Sequence, residues 1–136
     1  MIALTSDLLT RVEEIDGQHK ELFNQINKLE SMTETDSSEE QVKKTMDFLG
    51  KYVEKHFSDE EALQLKYKYP KYNWHREMHN WYITEFRKME NEYNKNGASE
   101  DFTKLLHISI SNWIVKHIAT VDVNLGKFIN EQKRKK

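Results

Sequence analysis

Residues 42–63 read VKKTMDFLGKYVEKHFSDEEAL, and the spacing of the side chains in this stretch decides the fold. Seven of them are separated alternately by four and three residues, which is the period of a helix seam packed inside a bundle. The members of this seam are Val42, Met46, Leu49, Val53, His56, Glu60 and Leu63. A histidine and a glutamate therefore occupy two core positions of the predicted helix.

Three other stretches have the same alternating spacing, and each of them also carries histidine. Their members are Ile15, His19, Leu22, Ile26 and Leu29; His75, His79, Tyr82, Phe86, Met89 and Tyr93; and Leu106, Ile110, Trp113 and His117. Five of the six histidines thus fall on inward-facing stripes of four different helices. His107 lies one position off its stripe, so we interpret it as a surface or flanking residue.

The chain has only one proline and four glycines, which indicates long, uninterrupted helices. A chain of 136 residues suits one domain with one core. Because the connections are short, neighbouring helices should be antiparallel. The prediction is an all-α, up-down-up-down four-helix bundle forming a single domain over residues 1–136. An N-terminal arm (1–14) precedes helices at about 16–34, 38–67, 70–95 and 99–131.

The ends of these helices carry recognisable signals. They are Asp16 as a cap of the first helix, Ser37 with Glu40 or Ser38 with Gln41 as a capping box of the second, Pro70 in the first turn of the third, Gly97 just past its end, and Ser99 as a cap of the fourth.

Composition excludes several classes of function. The net charge is −2, so nothing favours nucleic acid as a partner, and the basic residues 133–136 suit a solvated helix end. The absence of cysteine removes disulfides and thiolate chemistry. No long apolar run or secretion signal is present, so we expect a cytoplasmic protein with no membrane partner. The chain is compatible with a monomer and identifies no protein partner.

The buried polar residues on the seams favour a metal site. A buried carboxylate without a partner costs several kcal/mol, and no lysine or arginine lies on the seams to pair with Glu60. Five histidines with one or two carboxylates exceed the needs of one zinc ion but suit two ions. Imidazole and carboxylate without sulfur suit iron, with manganese, cobalt and zinc as alternatives.

Two known types of metal site do not fit. The carboxylate-rich di-iron bundles repeat Glu-x-x-His on two helices, and this chain contains no such motif. A zinc protease needs glutamate directly after the first histidine of its motif, whereas Glu77 comes two residues after His75. Glu77 should therefore face solvent.

Asp122 is a candidate ligand with a complication. It lies five residues after His117, which turns it about 140° away on a regular α-helix. A π-bulge would bring both onto one face, and the spacing of Asp122, Leu125 and Ile129 fits such a slip. Val121, Leu125 and Phe128 continue the regular phase almost as well. The sequence permits the bulge without requiring it.

Over residues 12–130 the chain resembles the hemerythrin family. The motifs that carry the resemblance are residues 15–20 (IDGQHK), residues 56–61 (HFSDEE), Tyr69-Pro70 followed by His75 and His79, and residues 113–118 (WIVKHI) with Asp122. The chain departs from the family at Leu4, where tryptophan is usual, at Arg11, where glycine is usual, and at Ile114, where leucine is common.

The resemblance implies a non-haem di-iron centre that binds molecular oxygen reversibly and is not an enzyme. His75, His79 and His117 would hold one iron, and His19 and His56 the other, which keeps an open position for oxygen. Glu60 and Asp122 would bridge the two iron ions, each Fe2+ or Fe3+, together with a hydroxo or oxo group. Residues flanking the ligands would form a dry oxygen pocket; these are Phe57, Trp113, Ile114 and Ile118.

The resemblance indicates the chemistry of the centre more clearly than its physiological role. The size of the chain favours an oxygen carrier or store. The alternatives are an oxygen sensor that signals to a separate partner, or a di-iron enzyme acting on peroxide or nitric oxide. Metal storage is a fourth hypothesis, which two fixed ions per chain disfavour.

Overall fold

The computed structural model describes residues 2–34, 39–97 and 100–135, and within these the side chains of all but residues 33, 34, 39, 96, 100–103 and 105–107. The chain is helical and has no strand in the described ranges. The helices are α1 (Glu13–Glu34), α2 (Glu39–Lys66), α3 (Tyr72–Asn96), α4 (Glu100–His117) and α5 (Val123–Arg134), with a π segment (Ile118–Asp122) between the last two. These bounds lie within three residues of the predicted ones.

The contacts between α2 and α3 show that these two helices are antiparallel, as the predicted bundle requires. From α2 to α3, the side-chain contacts pair Gln64 with His75 and, further back along α2, Glu61 with His79. The continuous run of α4, π segment and α5 forms the fourth helix of the bundle. The all-α four-helix bundle is therefore confirmed.

The predicted seams form the core. Among seam side chains that the structure describes, only Leu63, Met89 and Trp113 are partly rather than fully buried. A large apolar cluster surrounds Leu22, Leu49 and Phe86, and a smaller one surrounds Ile15 and Leu125. Polar seam residues separate the two clusters along the bundle. The site therefore lies in the interior, where side chains of all four helices meet.

The N-terminal arm follows the bundle closely. It includes a short 3-10 turn (Ser6–Leu8) that packs on the π segment. Near its start, the Ile2 N–H donates to Asn27 Oδ1 at 2.9 Å, and Asn27 Nδ2 donates back to the Ile2 carbonyl at 2.8 Å. Near its end, the backbone of Thr10 lies directly against Gly126 of α5. The arm thus fastens α1 to α5.

Two predicted helix-end signals are wrong. Asp16 does not cap α1, which begins three residues earlier, at Glu13. Its carboxylate instead accepts hydrogen bonds from the Thr10 and Arg11 N–H groups and from the Thr10 hydroxyl, which belong to the arm just before α1. Pro70 lies in the turn before α3 and not inside its first turn.

The Gly97 signal is confirmed, since this residue follows α3 with a positive φ of 73° and its N–H donates to the Tyr93 carbonyl at 2.7 Å. The predicted capping residues Ser37, Ser38 and Ser99 and the side chain of His107 lie outside the described residues.

Candidate metal centre

Seven buried side chains from four helices meet in the centre of the bundle. Each is at most 4% exposed, and together they offer five imidazoles and two carboxylates. They form two overlapping groups whose potential ligand atoms lie within 4.8 Å of one another. The first group is Glu60, His75, His79, His117 and Asp122, and the second is His19, His56, Glu60 and Asp122.

The carboxylate oxygens of Glu60 and Asp122 divide between the two groups. Glu60 Oε1 lies 3.0 Å from His75 Nε2 and 3.2 Å from His79 Nε2, whereas its Oε2 lies 3.5 Å from His56 Nε2. Each oxygen of this side chain therefore faces a different set of histidines.

Asp122 repeats the arrangement with different histidines. Its Oδ1 lies 3.0 Å from His75 Nε2 and 3.1 Å from His117 Nε2, and its Oδ2 lies 3.1 Å from His19 Nε2. Two carboxylates that each present one oxygen to each group have the connectivity required to link two neighbouring cations.

The π segment brings Asp122 into the site. The segment ends at Asp122 and follows directly after His117, so the extra residue per turn returns Asp122 to the inner face. Both side chains are buried. The bulge that the sequence only permitted is therefore present, and its effect is to aim a carboxylate at three histidines.

Several polar atoms of the site have no hydrogen-bond partner among the described residues. They include both oxygens of Glu60, Oδ1 of Asp122 and Nε2 of His19 and His79. Buried polar atoms in native proteins are almost always satisfied. A pair of cations would satisfy these atoms at once, because imidazole nitrogens and carboxylate oxygens are lone-pair donors to iron, manganese, cobalt and zinc.

The pKa values of Glu60 and His75 show that the site stabilises positive charge. Burial and the Asp122 carboxylate would raise the pKa of Glu60, but the close approach of the His75, His79 and His56 rings outweighs them and lowers it to about 2. Burial alone would lower the pKa of His75, yet the carboxylates of Asp122 and Glu60 raise it to about 9. The two buried carboxylates thus stay ionised and need cationic partners.

His56 behaves differently from His75. Burial is the dominant influence on this ring and lowers its pKa to about 4, despite the nearby Glu60 carboxylate. A neutral imidazole with a free Nε2 is the form that binds a metal.

Outer side chains orient three of the histidines. His56 Nδ1 lies 2.7 Å from Gln18 Oε1, and Gln18 Nε2 donates to Asp59 at 2.8 Å. His75 Nδ1 lies 3.0 Å from the Gln64 amide, and His79 Nδ1 lies 2.9 Å from Glu61 Oε2. The Gln18 and Glu61 oxygens can only accept, so Nδ1 of His56 and of His79 carries the proton and Nε2 of these two rings remains available. Gln64 presents its Nε2 to the His75 ring.

The sequence interpretation assigned no role to these outer partners. Gln64 could have been found from its position four residues after Glu60 on the same stripe, where a buried amide needs a partner. Gln18 and Glu61 carry no comparable signal, because each is merely adjacent to a candidate ligand. Glu77 is exposed, as predicted.

Aromatic rings cover one side of the centre. Phe57 stacks on His79 with ring centroids 3.8 Å apart, and Trp113 stacks on His117 at 4.5 Å. Tyr82 lies behind them, with its ring 4.1 Å from that of Trp113. The rings therefore lie mainly against the three-histidine group, although Phe57 also approaches His56 at 5.8 Å.

The two aliphatic residues of the predicted oxygen pocket are buried. Ile114 is 2% exposed and Ile118 1% exposed, and both belong to the large apolar cluster. The structure thus places a buried apolar side chain three residues before His117 and another directly after it.

The fold and the site together define an all-α bundle protein with two adjoining groups of potential cation ligands. Residues 10–128 match the hemerythrin HHE cation binding domain. The chain is 30% identical over 135 residues to the bacteriohemerythrin of Campylobacter jejuni subsp. jejuni serotype O:6 (strain 81116 / NCTC 11828), covering 99% of this chain and 96% of that protein. It is also 30% identical over 119 residues to the bacteriohemerythrin of Methylococcus capsulatus (strain ATCC 33009 / NCIMB 11132 / Bath), covering 86% of this chain and 87% of that protein.

Solved structures agree with the sequence comparison. The crystal structure of a wild-type hemerythrin superimposes with a TM-score of 0.83 at 26% identity, covering 95% of this chain and 98% of the other. The chain therefore belongs to the hemerythrin family. No helix in the described ranges is both long and apolar enough to cross a membrane.

Proposed function

We propose that this protein holds two iron ions and binds molecular oxygen reversibly, as an oxygen carrier or store. The observation that carries the proposal is the division of the Glu60 and Asp122 oxygens between two groups of histidines. Such an arrangement serves two ions better than one, since each ion then receives one oxygen from each carboxylate. Family membership supports iron as the metal.

The two groups would leave the ions unequally covered. His75, His79 and His117 with two carboxylate oxygens provide five ligands, whereas His19 and His56 with two oxygens provide four. We therefore assign the open coordination position to the ion beside His19 and His56. When bound, the iron pair would supply the two electrons that reversible oxygen binding requires.

The surrounding side chains suit a small neutral ligand. Phe57, Trp113, Ile114 and Ile118 are apolar and would line the oxygen pocket, with Phe57 the ring that lies against His79 and also approaches His56 on the open side. An apolar, water-poor wall slows the loss of charged oxygen species. This lining favours reversible binding over turnover.

The direct test is a metal count combined with absorption spectra of the purified protein, first without oxygen and then with it. Two irons per chain and a visible band that appears with oxygen and disappears on its removal are expected. One zinc ion and no colour change would contradict the proposal.

A variant tests the linking role of Glu60. Glu60→Ala should lose metal and lower stability, because His56 and His79 would lose the carboxylate that they face and Asp122 alone would remain between the two groups. Glu77→Ala removes an exposed carboxylate beside the same site and is the matched control. An intact two-iron centre in Glu60→Ala would disprove the linking role.

Steady-state measurements separate the alternatives. Sustained turnover of peroxide or nitric oxide by the iron-loaded protein would favour an enzyme. Capture of a specific protein only in the oxygen-bound state would favour a sensor. Reversible binding without either result supports a carrier or store.

A further inference from the structure

The five histidines of the centre differ in what faces their Nδ1 atoms. His56 faces the neutral amide of Gln18, and His75 faces the neutral amide of Gln64. His19 and His117 have no Nδ1 partner among the described residues. His79 alone in this described set faces a carboxylate, that of Glu61.

The contact between His79 and Glu61 fixes the state of the ring. The distance from Nδ1 to Glu61 Oε2 is 2.9 Å. A carboxylate can only accept a hydrogen bond, so Nδ1 must carry the proton and Nε2 is left with the lone pair. Nε2 is the atom that faces Glu60 Oε1 in the centre, at 3.2 Å.

Two further contacts hold this pair in place. The Phe57 ring is parallel to that of His79, with an angle of 1° between the planes, and so restricts tilting of the imidazole. On the solvent side, Arg76 Nε lies 3.7 Å from Glu61 Oε1. The Glu61 side chain is only 18% exposed, which limits screening of its charge by water.

We propose that Glu61 is a positioning residue of the metal centre, which holds the His79 tautomer and increases electron donation from His79 Nε2 to the three-histidine iron. The inference rests on the proposed di-iron function. A hydrogen bond to an anion gives the imidazole partial imidazolate character and strengthens it as a ligand. His56, a ligand of the other iron, faces the neutral Gln18 amide and gains no such charge. Glu61 therefore makes the three-histidine iron the easier of the two to oxidise.

Two variants separate the charge of Glu61 from its hydrogen bond. Glu61→Gln retains an oxygen that can accept from Nδ1 but removes the charge. It should still hold two irons, and the equilibrium between Fe3+ and Fe2+ should shift about tenfold toward Fe2+, which is about +59 mV in midpoint potential. Glu61→Ala removes both contributions and should release iron to a chelator 10–100-fold faster, a scale typical for lost outer-sphere partners.

The matched control is Glu54→Gln, which removes a charge from the same helix. Glu54 pairs with Arg87 and contacts no histidine of the site. Its potential and its rate of iron release should equal those of the wild type.

The outcomes distinguish this inference from the function on which it depends. A wild-type protein without two irons would overturn both. A two-iron wild type, with Glu61→Gln and Glu54→Gln at the same potential, would overturn the inference alone. Unchanged iron release from Glu61→Ala would do the same for its positioning role.

Discussion

Gly126 of α5 and Gly17 of α1 offer a matched pair of substitutions that tests how the arm closes the bundle. A Cβ atom added at Gly126 would lie 2.3 Å from the Thr10 carbonyl oxygen and 2.7 Å from Thr10 Cβ. A Cβ at Gly17 would meet nothing within 4 Å. Both glycines lie inside helices, so alanine has the same intrinsic benefit at each position, about 1 kcal/mol.

The cost at Gly126 follows from the contact distance. The added Cβ would be about 1 Å short of ordinary van der Waals contact with the arm, which begins at 3.4 Å. Overpacking of this kind costs about 1–3 kcal/mol. Withdrawal of the arm would also break the hydrogen bond from Asn130 Nδ2 to the Thr10 carbonyl, now 3.2 Å long, at a further cost of about 1 kcal/mol. After the helix benefit, Gly126→Ala should be about 1–3 kcal/mol less stable than the wild type.

Thermal unfolding of metal-free protein measures the difference. Gly126→Ala should lower Tm by roughly 3–10 °C, and Gly17→Ala should raise it by a few degrees. The 3-10 turn of the arm packs on the π segment that carries Asp122. Iron-loaded Gly126→Ala should therefore release its iron to a chelator faster than the iron-loaded wild type. An unchanged or higher Tm for Gly126→Ala would refute this account of arm docking.

Three further predictions concern strain, pH and metal. Arg11 has a positive φ of 64°, a backbone conformation that costs a residue with a side chain about 1–2 kcal/mol. Arg11→Gly should therefore raise the free energy of unfolding in urea by about 0.5–1 kcal/mol. Arg11→Ala keeps the strain and should show no gain. In metal-free protein the Asp122 and Glu60 carboxylates raise the pKa of His75 to about 9 despite its burial, so protonated His75 stabilises the folded state. This contribution to the free energy of unfolding is complete below pH 6.5 and is lost as pH rises through 9. Tm should therefore fall between about pH 6.5 and 9.5, and His75→Asn should flatten that fall. Removal of iron with a chelator should lower Tm and reloading should restore it, because only the folded state brings the seven ligand side chains together to bind metal. Equal Tm values with and without iron would contradict a metal site in the folded core.

Much of the fold could be predicted from the sequence because it depends on local periodicity. The alternation by four and three residues identifies the buried stripe of each helix without knowledge of its neighbours. The same stripes placed His56, Glu60 and the other seam histidines inside the bundle. The structure brings these side chains together as the stripes indicate, and their role as ligands remains the proposal.

Asp122 shows where periodicity is insufficient. Val121 and Asp122 are both buried, and Leu125 suits either phase of the helix. The choice between a regular turn and a π turn depends on whether Asp122 reaches His19, His75 and His117, and two of these belong to other helices. No local pattern contains that information.

The arm and the outer partners were decided by tertiary structure for the same reason. Asp16 carries a typical capping signal, yet its carboxylate accepts from the Thr10 and Arg11 N–H groups of the arm, at the point where Thr10 also lies against Gly126 of α5. Glu61 becomes the partner of His79 through the register between α2 and α3.

The sequence by itself thus determined the helices, their buried faces and the kinds of ligand that the core contains, since these follow from the 3.6-residue period and from the cost of burying charge. Only the tertiary structure decided that the helix carrying His117 widens to deliver Asp122, and that each carboxylate divides its oxygens between two groups of histidines. These features depend on distances between helices, which the order of residues along one helix does not specify.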